Sequence, residues 1–344
     1  MEFYERKQYS MKPTFLILLL LFSEMVNGQQ TVQFSKDTNL CETDNWKLMW
    51  RDEFEGNEIN RQKWYTFIDD ENWVDGSVAD PPIAVSARAT KKAIYKGENV
   101  VVKDGHCTLI MKYDPSEWMG VSRNFSSAMI MAKNFEGTAP LYFVRGRYEI
   151  RAKLPRATGV WATFWLYGGG DKNNHGSEID MVEYTPCRSS LDRLPYHVHG
   201  FHRGNDYSEH YETGGDYKVK NVDDWHVYTT EWDKHFIRFY MDGVLKATVS
   251  RYESDCNPTP LKEYVDDEKN VFPRIDEGMK MLVTLDYTHN LYSRQLAGIC
   301  LPMPEWLRNR DRVDAKQPEQ KFIIDYIRVY QRESEVQDYL KHND

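Results

Sequence analysis

Long apolar runs are nearly missing from this chain. The clearest, Phe15 to Phe22, falls short of the ~20 apolar residues that a membrane helix needs, so no membrane span is expected. Cysteine is sparse and scattered: Cys41, Cys107, Cys187, Cys256 and Cys300 include no close pair of the kind that builds a zinc ribbon or a redox motif. Their odd number leaves at least one thiol outside any intramolecular disulfide, and spacing does not reveal the pairing. Basic charge is also short. A net charge of -9 argues against nucleic acid as the main ligand, because phosphate binding draws on clustered Lys and Arg. There is no Gly-rich phosphate loop, no internal repeat, no low-complexity tract and no long helical periodicity, which together disfavour a nucleotide-binding α/β fold.

The chain is rich in aromatics, at 14 % with 10 Trp and 22 Tyr. Their flat faces pack cores and stack on sugars, so a polysaccharide or oligosaccharide partner is expected. Residues 1–28 read as a secretory signal: Arg6, Lys7 and Lys12 precede the apolar run, and Val26 and Gly28 sit at small-residue cleavage spacing. The mature chain then starts near Gln29 and is secreted, periplasmic or held at the cell surface. Met11 opens a more usual signal by itself, so two starts are open. Residues 29–344 are expected to form a single, monomeric domain with its core at about 46–331.

From Trp46 onward the dominant signal is period-two alternation in short runs bounded by turn residues, the pattern of an antiparallel all-β fold. In one such run Tyr148, Ile150, Ala152 and Leu154 alternate with Arg147, Glu149, Arg151 and Lys153. Asp242-Gly243 marks a hairpin between His235–Met241 and Leu245–Val249, and Phe322 to Tyr330 reads as a late strand. Residues 251–280 and 293–319, rich in Pro and charge, read as long excursions. A short helical spacing follows Gln331. The architecture expected is a β-sandwich of two antiparallel sheets.

Glu178, Asp180 and Glu183 fall on one predicted strand, Ser177 to Tyr184. On a regular strand Glu178 and Asp180 share a face and Glu183 points the other way. A one-residue bulge between Asp180 and Glu183 restores the phase and lets all three project together. Glycoside hydrolysis needs such a set: one carboxylate to attack or to activate water, and a protonated one to donate to the leaving oxygen. In this reading Glu178 is the nucleophile and Glu183 the acid/base, with burial and neighbouring charge expected to favour the protonated form of Glu183. Asp180, between them, is placed to hold Glu178 by a hydrogen bond. The competing reading is the wet face of an amphipathic strand.

The chain resembles glycoside hydrolase family 16, the laminarinase, lichenase, agarase and carrageenase group, from about Trp50 to Tyr330. Five segments carry the likeness in order: Trp50 to Phe54 with Trp64, Gly146 to Pro155, Gly159 to Trp165, Glu178 to Glu183, and Asp325 to Tyr330. Ala162 and Thr163 depart from the Pro and Ala usual there, and Asp286-Tyr287 replaces an expected Gly-Gly pair. The resemblance implies a β-jelly-roll sandwich with an open concave cleft and retaining endo-hydrolysis by the same three acids, without a catalytic cofactor. A β-1,3- or mixed-linkage glucan is the leading substrate. A β-galactan of the agar, carrageenan, porphyran or host O-glycan type is the alternative, and a non-catalytic carbohydrate-binding protein is the reading from another class. Transglycosylation shares the same intermediate.

Around the acids, Trp161 and Trp165 share strand parity and are expected to offer rings to sugars, against the simpler reading that both are core. His197, His199 and His202 invite a zinc reading, but the sequence shows no further ligand set. His199 is instead expected to bond sugar hydroxyls or the carboxylates, with His175 as a weaker subsite candidate. Arg188, Arg193 and Arg203 would suit sulfate or carboxylate groups if they converge, and otherwise read as solvated loop residues. Trp225, Glu231 and Trp232 read as structural. The resemblance further implies a structural calcium ion held by the Asp325 side chain and the backbone oxygens of Glu53 and Gly105.

Overall fold

The computed structural model describes residues 45–66, 93–118, 121–157, 160–168, 175–186, 191–202, 209–250, 272–273, 278–287 and 319–335. The expected signal segment, most of the long excursions, the helical spacing near the C-terminus, Arg188, Arg203 and every cysteine except Cys107 lie outside them; the first excursion was expected to run to Lys280, but Met279 and Lys280 already belong to a strand. Cys107 is a free thiol buried in the core, where burial pushes its pKa up and leaves it inert.

The strands are β1 (Trp46–Asp52), β2 (Trp64–Thr66), β3 (Ala93–Tyr95), β4 (Val100–Lys103), β5 (His106–Trp118), β6 (Val121–Ala132), β7 (Tyr142–Phe143), β8 (Gly146–Lys153) and β9 (Val160–Tyr167). They continue with β10 (His175–Tyr184), β11 (Arg193–His202), β12 (Glu209–Lys218), β13 (His226–Trp232), β14 (Phe236–Met241), β15 (Val244–Ser250), β16 (Met279–Tyr287) and β17 (Gln320–Arg332).

Two antiparallel layers emerge from the pairing. The first runs β15, β14, β13, β8, β17, with β1 and then β5 and β4 on the far side of β17. The second runs β12, β11, β10, β9, β16, then β6 and β2. The long hairpin of β5 and β6 serves both layers: residues 107–111 pair with β17, residues 128–131 pair with β16, and the strand ends pair with each other.

Alternation explains which faces meet. Tyr148, Ile150 and Ala152 of β8 are fully buried against one hydrophobic core that also takes Ala162, Phe164 and Leu166 of β9 and Ile179 and Val182 of β10. Tyr196 of β11 lies over Phe239 of β14, ring centroids 4.6 Å apart, which ties the layers together at that end. Each such large apolar side chain contributes roughly 1.5–3 kcal/mol on burial. Two hairpins use two-residue turns with both φ positive: Asp104 (54°) and Gly105 (75°) join β4 to β5, and Asp242 (50°) and Gly243 (75°) join β14 to β15. Such turns match the strand twist, and the second is the hairpin expected from sequence.

Candidate active site

The phase problem on β10 is solved as the sequence requires. Against β9, Glu178 pairs with Tyr167, Asp180 with Trp165 and Glu183 with Thr163, and the register slips between Asp180 and Val182. Met181 is the extra residue of a β-bulge. Because the three partners on β9 are two residues apart, Glu178, Asp180 and Glu183 all belong to the face turned away from the core. Asp180 and Glu183 are buried, at 5 % and 4 % exposure, and Glu178 is half-buried. This is not a solvated strand face.

β9 sets the floor beside them. Val160, Ala162, Phe164 and Leu166 point into the core, which leaves Trp161, Thr163, Trp165 and Tyr167 on the concave face. Both tryptophans expected to meet sugar are therefore half-buried on the carboxylate side. Trp165 is fixed: its Nε1–H donates to Thr284 Oγ1 on β16 at 3.1 Å, and Tyr167 meets it edge to face at 5.9 Å. Next to Trp161 across the β9–β16 pair lies Asp286, buried, whose Oδ2 accepts a hydrogen bond from the Tyr95 hydroxyl at 2.9 Å. The departure from a Gly-Gly pair thus places an anchored carboxylate at this end of the face.

On the other side of β10, His199 stands opposite Glu178 and His197 opposite Asp180. Their hydrogen bonds run diagonally. His199 Nε2 is 3.0 Å from Asp180 Oδ2, and His197 Nδ1 is 2.5 Å from Glu183 Oε2. Burial works against charge on both imidazoles. For His199 the bond and charge of Asp180, with Glu178 and Glu183 beyond, outweigh it and hold the pKa up at about 9. For His197 the bond and charge of Glu183, aided by Asp180, also raise the pKa despite burial and the neighbouring His199. The pair supplies positive charge to a row of three acids. Behind it, Glu212 of β12 lies 3.5 Å from His199 Nδ1, and Gly214 lets the His197 ring lie against the β12 backbone.

The structure brings together Glu178, Asp180, Glu183, Trp161, Trp165 and His199 as expected. It adds His197, Tyr167, Thr284, Asp286 and Glu212. His197 carried a signal, since it shares parity with His199 on β11, but its partner Glu183 lies on a strand whose bulge shifts the phase. His175 takes the first position of β10, opposite His202, on the parity of Ile179 and not of Glu178. Arg193 is held by Asp216 through its Nε at 2.5 Å, so this guanidinium is already engaged. Trp232 is core. Trp225 stacks on His106 at 5.1 Å between Arg151 and Lys153, and Glu231 pairs with Arg147 at 3.3 Å, all structural contacts.

The calcium expectation meets a different arrangement. Arg151 Nη1 bonds Asp325 Oδ2 at 2.5 Å, and His106 Nε2 lies 3.8 Å from the other oxygen. Glu53 receives two hydrogen bonds of 2.9 Å from Arg328. The Asp325 carboxylate, the one side-chain ligand of the expected set, is thus engaged by a guanidinium, and a calcium ion there would have to replace that pair.

A family model described as glycosyl hydrolases family 16 matches residues 88–267, which include all three acids. A glucan endo-1,3-beta-glucosidase A1 of Niallia circulans is 27 % identical over 230 residues, 61 % of this chain and 31 % of that protein. A beta-glucanase of Rhodothermus marinus is 28 % identical over 211 residues, 58 % of this chain and 64 % of that one. The chain thus spans less than two thirds of either relative. A keratan-sulfate endo-1,4-beta-galactosidase of Sphingobacterium multivorum is 25 % identical over 241 residues, covering 66 % of this chain and 49 % of that protein. In three dimensions the laminarinase catalytic domain of Thermotoga petrophila RKU-1 superposes with a TM-score of 0.58 at 21 % identity, over 84 % of this chain and 99 % of that one, which establishes the same jelly-roll fold. With a matching family model over more than half its length and the bulged acid row in place, the chain belongs to glycosyl hydrolase family 16.

Proposed function

We propose that this protein is a secreted, retaining endo-β-glycanase that cuts internal linkages of a β-1,3- or mixed-linkage glucan. The observation that carries the reading is the Met181 bulge, which aligns Glu178, Asp180 and Glu183 on the concave face. Glu178 attacks the anomeric carbon while Glu183 protonates the departing glycosidic oxygen. Glu183 then takes a proton from water as the water oxygen bonds to the anomeric carbon, which breaks the ester to Glu178 and releases the sugar. His197 shares a proton with Glu183 and compensates its charge once it has donated. His199 fixes Asp180 beside the nucleophile. Trp161, Trp165 and Tyr167 offer ring faces to successive sugars.

The names of the glucanase relatives support a glucan. The galactosidase relative supports a β-galactan as the second reading. The test is product analysis after incubating the purified protein, and Glu178→Gln, with laminarin, mixed-linkage glucan, agarose, carrageenan, porphyran and mucin glycans. Oligosaccharides from one polymer that vanish in the variant name the substrate. Retardation on a polymer in affinity electrophoresis, with no cleavage of any, would replace hydrolysis by binding alone.

A further inference from the structure

Asp180, His197 and His199 each offer a ligand atom, and these three atoms lie within 4.8 Å of one another. Two histidines at alternate positions of one strand and a carboxylate from the next form a donor set of the nitrogen and oxygen type that zinc prefers. Sequence alone offered His197, His199 and His202, and no ligand beyond the histidines. The pairing of β10 with β11 brings Asp180 to them. For metal–ligand bonds of about 2.0–2.1 Å, tetrahedral ligands stand roughly 3.3 Å apart. The Asp180–His199 pair is already at 3.0 Å, so the closure needed is modest.

A second observation points the same way. The Nε2 of His199 faces Asp180, and its other ring nitrogen, Nδ1, faces Glu212 at 3.5 Å. Metal-bound histidines nearly always carry a carboxylate or carbonyl on the far nitrogen, which fixes ring orientation and makes the ligating nitrogen more basic. All three donors sit on adjacent central strands, with side-chain exposures of 6 %, 19 % and 13 % for Asp180, His197 and His199. They are held by the sheet yet open to the cleft.

We propose that Asp180, His197 and His199 form a site for a divalent transition-metal ion, with zinc as the favoured occupant and Glu212 orienting His199. Its fourth position faces the cleft and takes water. An ion held there engages Asp180 and withdraws it from the carboxylate row, so metal and glycan exclude each other and the ion acts as a reversible inhibitor. The metal site stands on its own geometry, whereas the inhibitory consequence rests on the proposed hydrolase activity.

The test uses the full, tag-free chain after chelator treatment. Zinc binding is followed by calorimetry, and cobalt(II) is followed by its visible absorption. One equivalent is expected to bind. His199→Gln should weaken binding at least a hundredfold and Glu212→Gln about tenfold, the size of an outer-shell contribution. His226→Gln, on the other sheet, should leave binding unchanged. Each variant's melting temperature confirms folding, and Glu212→Gln keeps the test valid if His199→Gln does not fold. Absence of saturable binding below millimolar zinc, or affinities in both ligand-side variants within threefold of the parent, would overturn the site. Stoichiometric binding in a protein that cleaves no glycan would support the site and remove the hydrolase reading instead. Cleavage that persists with zinc bound would overturn the inhibition.

Discussion

Gly214 of β12 faces His197 across the edge of the second sheet, and a β-carbon there would stand 2.4 Å from His197 Cδ2 and 2.4 Å from the Tyr196 carbonyl oxygen. Ordinary contact begins near 3.4 Å, so Gly214→Ala must push the imidazole or the β12 backbone by about 1 Å. The carbonyl belongs to a paired strand and yields little. His197 is the softer neighbour, and it moves at the expense of its 2.5 Å contact with Glu183. A misplacement of about 1 Å in a catalytic constellation costs on the order of a hundredfold in rate. The stability loss should stay near 1–3 kcal/mol, the usual range for overpacking, because among the described residues β12 pairs with a strand on one side only and can relax outward. The assay is kcat/KM on the glycan identified by product analysis, set beside the urea unfolding midpoint. A hundredfold fall in kcat/KM with a folded protein is the expected result. A variant with kcat/KM within threefold of the parent would refute the claim that His197 geometry governs Glu183.

Tyr95→Phe removes a buried hydroxyl from the Asp286 carboxylate, a charge-assisted bond, and should cost about 1.5–3 kcal/mol by urea denaturation. Glu53→Gln breaks a bidentate pair with Arg328, but both side chains are near one-third exposed and solvent screens them, so a loss below about 1 kcal/mol is expected. The hydrogen bond from Arg328 lowers the Glu53 pKa, so this small contribution is present at neutral pH and fades as pH falls through the folded value. His199 behaves oppositely. Its folded pKa of about 9 lies above the ordinary 6.5, so its contribution, on the order of 3 kcal/mol, is complete below pH 6.5 and lost as pH rises through 9. The stability gap between parent and His199→Gln, measured with chelator present, should therefore shrink between pH 6 and 10, and a constant gap would contradict it.

Much of this was legible in the sequence because strands expose their pattern directly. The alternation from Tyr148 to Leu154 and the Asp242-Gly243 turn led to β8 and to the β14–β15 hairpin, and both follow from local rules of pleat and twist. The bulge was legible too, since three acids at 178, 180 and 183 share a face only if one residue is extra. Trp161 and Trp165 followed from parity. The role of His197 was not legible, because a histidine in a strand does not reveal which neighbour its strand will choose or how far its side chain will lean. The ion pair of Asp325 with Arg151 was hidden for a related reason: 174 positions separate the two residues in the chain.

The sequence by itself determined the all-β class, the faces of the main strands and the three acids that meet on one face of β10, since each depends on side-chain period within a single segment. Only the tertiary structure decided the partners: His199 with Asp180, His197 with Glu183, Tyr95 with Asp286 and Arg151 with Asp325. Those contacts depend on register between strands and on diagonal reach across them. Register is set by how two whole faces bury their apolar rows together, a property no single segment contains.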